Sequence, residues 1–347
     1  MVGLASAWLL QGRGHSVTLV DPAGFGPQPE GAGSSAALGV LMGQVYRRSS
    51  GRGWRLRQSS LQLWSQWRRQ LELAGETIPY RSGLLLLAAD AVERQQLERL
   101  ALARQRLGMA LELWDRARLQ ALQPELPEGA AAGLFSPADG QLDPSAALAA
   151  LAADGLRRGL RLRAERVIRL ERKTTGWSIA LAGGSRLSSP WVVLAAGLSS
   201  PALLEPLGHS RVLEPVLSQA LALQRPAGAG LNWPTTVVWR GWNLVPLAGG
   251  RLWLGATLEP GRQADPNQLE AMRGLGGDAP GWLREAVVLR RWQGLRGRPA
   301  GRPAPLLEQL EPGLVLAAGH YRNGILLAPA SAEWVASQIE AGDPAWP

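Results

Sequence analysis

The 347-residue sequence contains no cysteine. Disulfides, thiolate metal sites, cysteine nucleophiles and any cofactor tethered through a cysteine sulfur are therefore excluded. Lysine is almost as scarce: Lys173 stands alone in a chain of net charge +9, so arginine carries the basic surplus. Those arginines, among them Arg157, Arg158, Arg161, Arg163, Arg166 and Arg169, alternate with leucine instead of forming an aromatic-studded stripe, and no nucleic-acid partner is expected. No apolar run approaches the ~18 residues of a membrane helix, so no membrane span is expected. The stretch after Met1 has no basic n-region, which argues against a secretory signal and for a cytoplasmic location. His15, His209 and His320 show no metal-ligand spacing, and no metal site is expected.

What is present is a chain with 46% hydrophobic residues, enough to fill one large or two interleaved domains. Residues 2–21 read as a small-residue helix start, an amphipathic helix, a Gly-containing turn and a short β-branched strand ending in Asp21. This order follows the third glycine of G-x-G-x-x-G in a dinucleotide-binding βαβ unit. Asp21, eighteen residues after Gly3, stands where an acidic side chain accepts hydrogen bonds from an adenosine ribose. If Gly3 is that third glycine, Met1 and Val2 fill the two preceding positions. The first two glycines and their strand are then expected upstream, with Met1 an internal codon.

Helices are expected over 54–75, 90–107, 115–121, 144–159, 266–274 and 329–341, from apolar spacing near 3.6 residues. Helix 54–75 would bury Leu56, Leu63, Trp64, Trp67 and Leu71. Residues 124–140, rich in Pro, Gly and Ala, read as loop. Residues 191–197 (Trp-Val-Val-Leu-Ala-Ala-Gly) read as a strand buried on both faces. Short strands separated by turns from 212 to 258 read as an antiparallel sheet. The fold class is α/β: a doubly wound, Rossmann-like dinucleotide-binding domain interleaved with an α+β antiparallel-sheet substrate domain. The boundaries expected are 1–80, 145–205 and 286–347 for the first, and 81–144 and 206–285 for the second.

Four segments in order carry a family resemblance. They are the βαβ-like start with Asp21, residues 33–39 (Gly-Ser-Ser-Ala-Ala-Leu-Gly), residues 194–200 (Leu-Ala-Ala-Gly-Leu-Ser-Ser), and residues 317–329 (Ala-Ala-Gly-His-Tyr-Arg-Asn-Gly-Ile-Leu-Leu-Ala-Pro). The chain resembles the D-amino-acid-oxidase-like flavoproteins, and within them the glycine oxidases of thiamine biosynthesis. Residues 251–261 and 290–299 are similar to segments of those enzymes too.

The resemblance implies FAD, held non-covalently because the relatives that attach it do so through cysteine. Gly3 would open the pyrophosphate helix and Asp21 would hold the ribose. Ser34, Ser35 and Ala36 would meet the pyrophosphate and isoalloxazine, and Val167 would offer backbone to the adenine. Gly197 would end its strand where a side chain would collide with the dinucleotide. Gly319, Asn323, Gly324 and Ile325 would bring amides to the flavin pyrimidine edge, with His320 ordering that loop. Arg296 would clamp the substrate carboxylate, because a guanidinium fork matches a carboxylate bidentately. Arg322 would lie at the same pocket.

The sequence departs from the glycine-oxidase pattern at Asn243, where a tyrosine stands in those enzymes. The substrate is left open between glycine, sarcosine and a small D-amino acid. The reaction implied is hydride transfer to flavin with no protein base, dioxygen as acceptor, and peroxide and an imine or 2-oxo acid as products. A flavin-free, inactive paralogue is the alternative from another class. The resemblance also raises homo-oligomeric assembly.

Overall fold

The computed structural model describes residues 1–24, 33–34, 36–227, 233 and 235–342. The helix Val2–Gly12 is apolar on nearly every side and buries Leu4, Ala5, Ala7, Trp8 and Leu10. It packs between the helices Pro144–Arg157 and Ala328–Ala341. Burying an indole N–H is costly without an acceptor. Here Trp8 Nε1 donates to Asp154 Oδ2 at 2.7 Å, and Arg158 Nε pairs with the same oxygen at 2.8 Å. Trp67, on the helix Gly51–Leu73, meets Trp8 at 4.7 Å between ring centroids and Trp64 edge-on at 5.8 Å. Asp143 caps Pro144–Arg157 by accepting from the amides of Ser145 and Ala146, with Pro144 in the first turn where its missing N–H costs nothing.

Among the described residues the strands form four sheets. Thr18–Val20 pairs in parallel with Arg161–Arg163. Val192–Leu194 pairs in parallel with Leu314–Ala318, whose other edge takes Leu306–Glu311 antiparallel. Val167–Lys173, Gly176–Leu181 and Arg186–Ser189 form an antiparallel meander. The fourth sheet has ten strands, most of them antiparallel, and its longest pairing joins Leu213–Gln224 to Val287–Pro299. The parallel strands beside helices and the antiparallel sheet inserted between them make this the expected α/β architecture, with an α+β layer interleaved in the chain.

Several local expectations are corrected. Residues 132–142 are not loop but the strand Ala132–Leu142. The helix near 54 starts earlier, at Gly51, and its buried face is Trp54, Arg57, Ser60, Trp64, Trp67 and Leu71, while Leu56 and Leu63 are half-buried flanks. Val192 and Val193 are half-buried rather than enclosed on both faces, because their strand borders a large cavity.

Candidate functional site

That cavity, about 1860 Å³, runs between the parallel strands and the ten-stranded sheet. Its lining includes Asp21, Val167, Gly3, Ser34, Gly197, Asn243, Arg296, Arg322 and the run from Gly319 to Ile325, His320 and Asn323 included. Nearly every residue singled out in the sequence therefore faces one continuous space. Ala36 does not line it; it is buried beside it, 4% exposed. Ser35 lies outside the described residues.

Part of this lining has the chemistry that an anion needs. The N-terminus of helix Val2–Gly12 opens here, with no side-chain cap and no acidic residue in its first turn. Its unpaired amides and the positive end of the helix dipole face the space. A Cβ at Gly3 would stand 3.2 Å from the Ala195 Cβ, so a larger residue would push the helix start off the neighbouring strand. Gly197 takes φ +56 and leaves open space where a side chain would project. Asp21, exposed, accepts at Oδ1 from Ala23 N at 2.9 Å, which orients its carboxylate. Helix amides, a bare glycine and an exposed carboxylate are the donor and acceptor set that a diphosphate-bridged ribonucleotide requires, and the residues fit FAD.

Along the run from Gly319 the backbone is bent. Gly319 has φ +65, and its Cβ would meet Pro299 Cγ at 2.7 Å. Tyr321 takes φ +53, uncommon for a bulky residue and held by its surroundings. His320 is buried, and its Nε2 lies 2.8 Å from Ser331 Oγ on the helix Ala328–Ala341. Burial, then the nearby Met1 ammonium and Arg52, hold its imidazole down to about 3. It is neutral at any working pH.

Arg296 is half-buried, and its guanidinium makes no hydrogen bond or ion pair to a described residue. Desolvation, then the Arg322 guanidinium, draw it down to about 10, still cationic near neutrality. The strand pairing places it opposite Val216. Asn243 donates from Nδ2 to Gly255 O at 3.1 Å, so one of its two amide hydrogens is committed to the sheet.

Sequence reasoning missed Arg57. Its Nη1 donates to Asn323 Oδ1 at 2.9 Å and Met42 O at 3.3 Å, and its guanidinium lies 3.9 Å over the Tyr46 ring. It ties the Asn323 loop to the cavity wall formed by Met42 and Tyr46. The available signal was its place three residues after Trp54 and seven before Trp64, on the apolar face of a helix. Behind it, Arg104 donates from Nε to Gln44 O at 2.7 Å and also bonds the Tyr46 carbonyl.

The arrangement defines a dinucleotide-binding α/β protein whose large cavity is also lined by Arg296 and Arg322. The FAD-dependent oxidoreductase family model named DAO matches residues 1–338, and the chain belongs to that family of flavoproteins. A glycine oxidase of Geobacillus kaustophilus is 28% identical over 354 residues, covering 100% of this chain and 92% of the relative. A crystal structure of glycine oxidase from that organism superposes with a TM-score of 0.87, covering 94% of its chain. A Pseudomonas putida glycine oxidase is 35% identical over 162 residues, 46% of this chain and 44% of the relative. The iminodiacetate oxidase of Chelativorans sp. BNC1, at 20% identity and TM-score 0.84, shares the fold. Among the described residues no helix is long and apolar enough to cross a membrane, and no group of His, Cys, Asp or Glu is placed to hold a metal.

Proposed function

We propose that this flavoprotein oxidatively deaminates glycine or another small amino acid, with dioxygen as acceptor and an imine or 2-oxo acid and hydrogen peroxide as products, in thiamine biosynthesis. The observation that carries the reading is Arg296: a cationic fork without an acid partner among the described residues, in the same cavity as the Gly319–Ile325 run. The bound flavin supplies a hydride acceptor for the substrate α-carbon.

The chain supplies orientation. Arg296 takes the carboxylate bidentately, and the exposed Arg322 adds positive field at the same end. The free Asn243 amide hydrogen offers a further donor. Gly3 and the helix behind it receive the pyrophosphate, Asp21 the ribose and Val167 the adenine, while Asn323, Gly324 and Ile325 present backbone to the flavin. His320, neutral and bonded to Ser331, orders that loop and is not a base. An amine bound neutral needs none, and catalysis is by positioning. The residues 81–144 and 206–285 form the substrate side in this reading.

A second reading keeps the cofactor and takes sarcosine or a small D-amino acid. The small side chains of Asn243 and Ala256 on the cavity wall favour it, since they leave room for a substituent.

The purified protein, first scored for yellow colour, is assayed for peroxide release across glycine, sarcosine and small D-amino acids, alongside Arg296→Lys. Losing one charge-assisted fork costs about 1.5–3 kcal/mol, so KM for the preferred amine rises about 10- to 150-fold with flavin content unchanged. Unchanged kinetics in the variant would remove Arg296 from the substrate site. A colourless, inactive protein favours a flavin-free paralogue instead.

A further inference from the structure

Charge in the large cavity is one-sided. Among the described residues Asp21 is the only acid in its lining, whereas Arg57, Arg262, Arg296 and Arg322 all line it. Arg57 is committed to Asn323, Met42 and Tyr46. The guanidiniums of Arg262, Arg296 and Arg322 make no hydrogen bond or ion pair to a described residue. Arg322 lies close enough to oppose the charge on Arg296. A substrate with one carboxylate engages Arg296 and leaves Arg262 without an anion.

The sheet brings Arg262 near Arg296. Arg296 pairs with Val216 along one edge of the strand Leu213–Gln224, and Gly261 bridges the same Val216 from the other edge. Neighbouring strands lie about 4.8 Å apart, so the backbones of Gly261 and Arg296 flank Val216 at about 10 Å from each other. Arg262 is the next residue after Gly261 and lines the cavity that Arg296 lines. A ligand lying across Val216 therefore has a guanidinium available on each side.

The turn that carries Arg262 is held in place. Gly261 N donates to Pro215 O at 2.9 Å, at a φ of +96 that suits a residue without a side chain. Glu259, 4% exposed, closes the turn from within. Its Oε2 accepts from Asp265 N at 2.6 Å, and its Oε1 accepts from Gln219 Nε2 at 3.0 Å and from the Thr257 hydroxyl. That carboxylate is taken up by the fold, so it does not neutralise Arg262. A side chain on a fixed backbone has less freedom to lose when it binds. Small side chains at Asn243 and Ala256 leave room on the cavity wall for a second substituent.

We propose that Arg262 is a second anion clamp, and that the preferred substrate is an amine bearing two carboxylates, one held by Arg296 and the other by Arg262. The class comprises acidic D-amino acids and glycines that carry a carboxyalkyl group on nitrogen. The inference rests on the amine-oxidase reading and names the substrate class of that site. The second carboxylate takes no part in the bond changes. The α-hydrogen leaves with its electron pair to the bound flavin, a C=N bond forms, and both carboxylates stay intact. Pairing at Arg262 fixes the orientation of the amine and offsets a charge that glycine leaves unpaired.

The test pairs each diacid with an amide of the same shape that lacks the second charge: D-aspartate with D-asparagine, and iminodiacetate with N-(carbamoylmethyl)glycine. Peroxide release is expected to favour a diacid over its amide by about tenfold in kcat/KM, chiefly through KM. The pair that shows the preference tells whether the second carboxylate belongs on carbon or on nitrogen. In Arg262→Gln the ratio should fall close to one, and Arg262→Lys should restore part of it. A ratio unchanged in Arg262→Gln would overturn the assignment. Binding without turnover is read as the rise in Tm given by malonate and succinate against acetate and butyrate at matched ionic strength. The dicarboxylates should stabilise the parent more, and Arg262→Gln should erase the difference. Glycine or sarcosine oxidised with no preference for diacids would overturn the proposal and leave the oxidase reading standing. A protein that oxidises none of these amines would remove that reading, and the thermal shifts then decide the clamp alone, equal shifts overturning it.

Discussion

His320 is a histidine held outside its normal titration range. Its imidazole is buried against Ser331 and titrates near 3, whereas in the unfolded chain it titrates near its ordinary value of about 6.5. The unfolded state therefore binds more protons between these values, and the group's contribution to stability is lost as pH falls through that window. The slope is about 1.4 kcal/mol per pH unit from this one group. In His320→Asn the acid limb of unfolding stability, followed by urea titration from pH 6.5 to 3, should be flatter by about that slope. A parallel limb in the variant would show that His320 is protonated in the folded protein. Sequence alone marked His320 through its motif. It could not separate Arg296 from the other arginines by composition, since a cavity-facing guanidinium and a solvated one are the same letter. Arg57 was lost for the opposite reason: an apolar helix face is read as core, and its polar member is discounted.

The strand Ala132–Leu142 shows how an element escapes local pattern. Its pairing with Tyr80–Ala88 shifts register between Ser82 and Leu84, opposite residues 137–139. Gly83 takes φ +91 there, and Pro137 and Ala138 are exposed, so the proline sits in a bulge where no ladder donor is needed. Pro and Gly suggested a loop, but they are the residues that a bulge needs. The bulge also turns Asp139 inward, where its carboxylate accepts from the amides of Gly43 and Gln44 at 2.7 Å and Val45 at 3.0 Å. Burial raises the carboxyl above its usual range, against the pull of those three amides. Asp139→Asn keeps the volume but turns an NH₂ group toward an amide donor. It should cost about 1.5–3 kcal/mol in denaturant unfolding. It should also loosen the segment that carries Met42 and Tyr46 against Arg57. A variant as stable as the parent would show that these amides are satisfied without the carboxylate.

At the scale of the whole molecule the cavity couples folding to cofactor. A ligand that binds only the folded state adds RT ln(1 + [L]/Kd), about 2.7 kcal/mol at a hundredfold excess over Kd. FAD should therefore raise Tm in a concentration-dependent way. FMN should raise it less, because it brings no adenosine ribose to Asp21. Equal shifts from both would place the adenosine end outside the cavity. The cavity also explains why Thr18–Val20, Val192 and Val193 are half-buried while the ten-stranded sheet buries Leu244, Val245 and Leu254 completely. The two layers face each other across the space.

The sequence by itself determined the helices, the antiparallel run, the α/β class and the flavoprotein family, because periodicity, caps and turn residues act within a few positions along the chain. Asp143 before Pro144 specifies a helix start whatever surrounds it. Tertiary structure alone decided that Arg296, Asn243 and the His320 loop share one cavity, that Arg57 holds Asn323, and that Pro137 belongs to a strand. Each of these depends on groups far apart in the chain, where packing and pairing choose the neighbour and no local pattern records it.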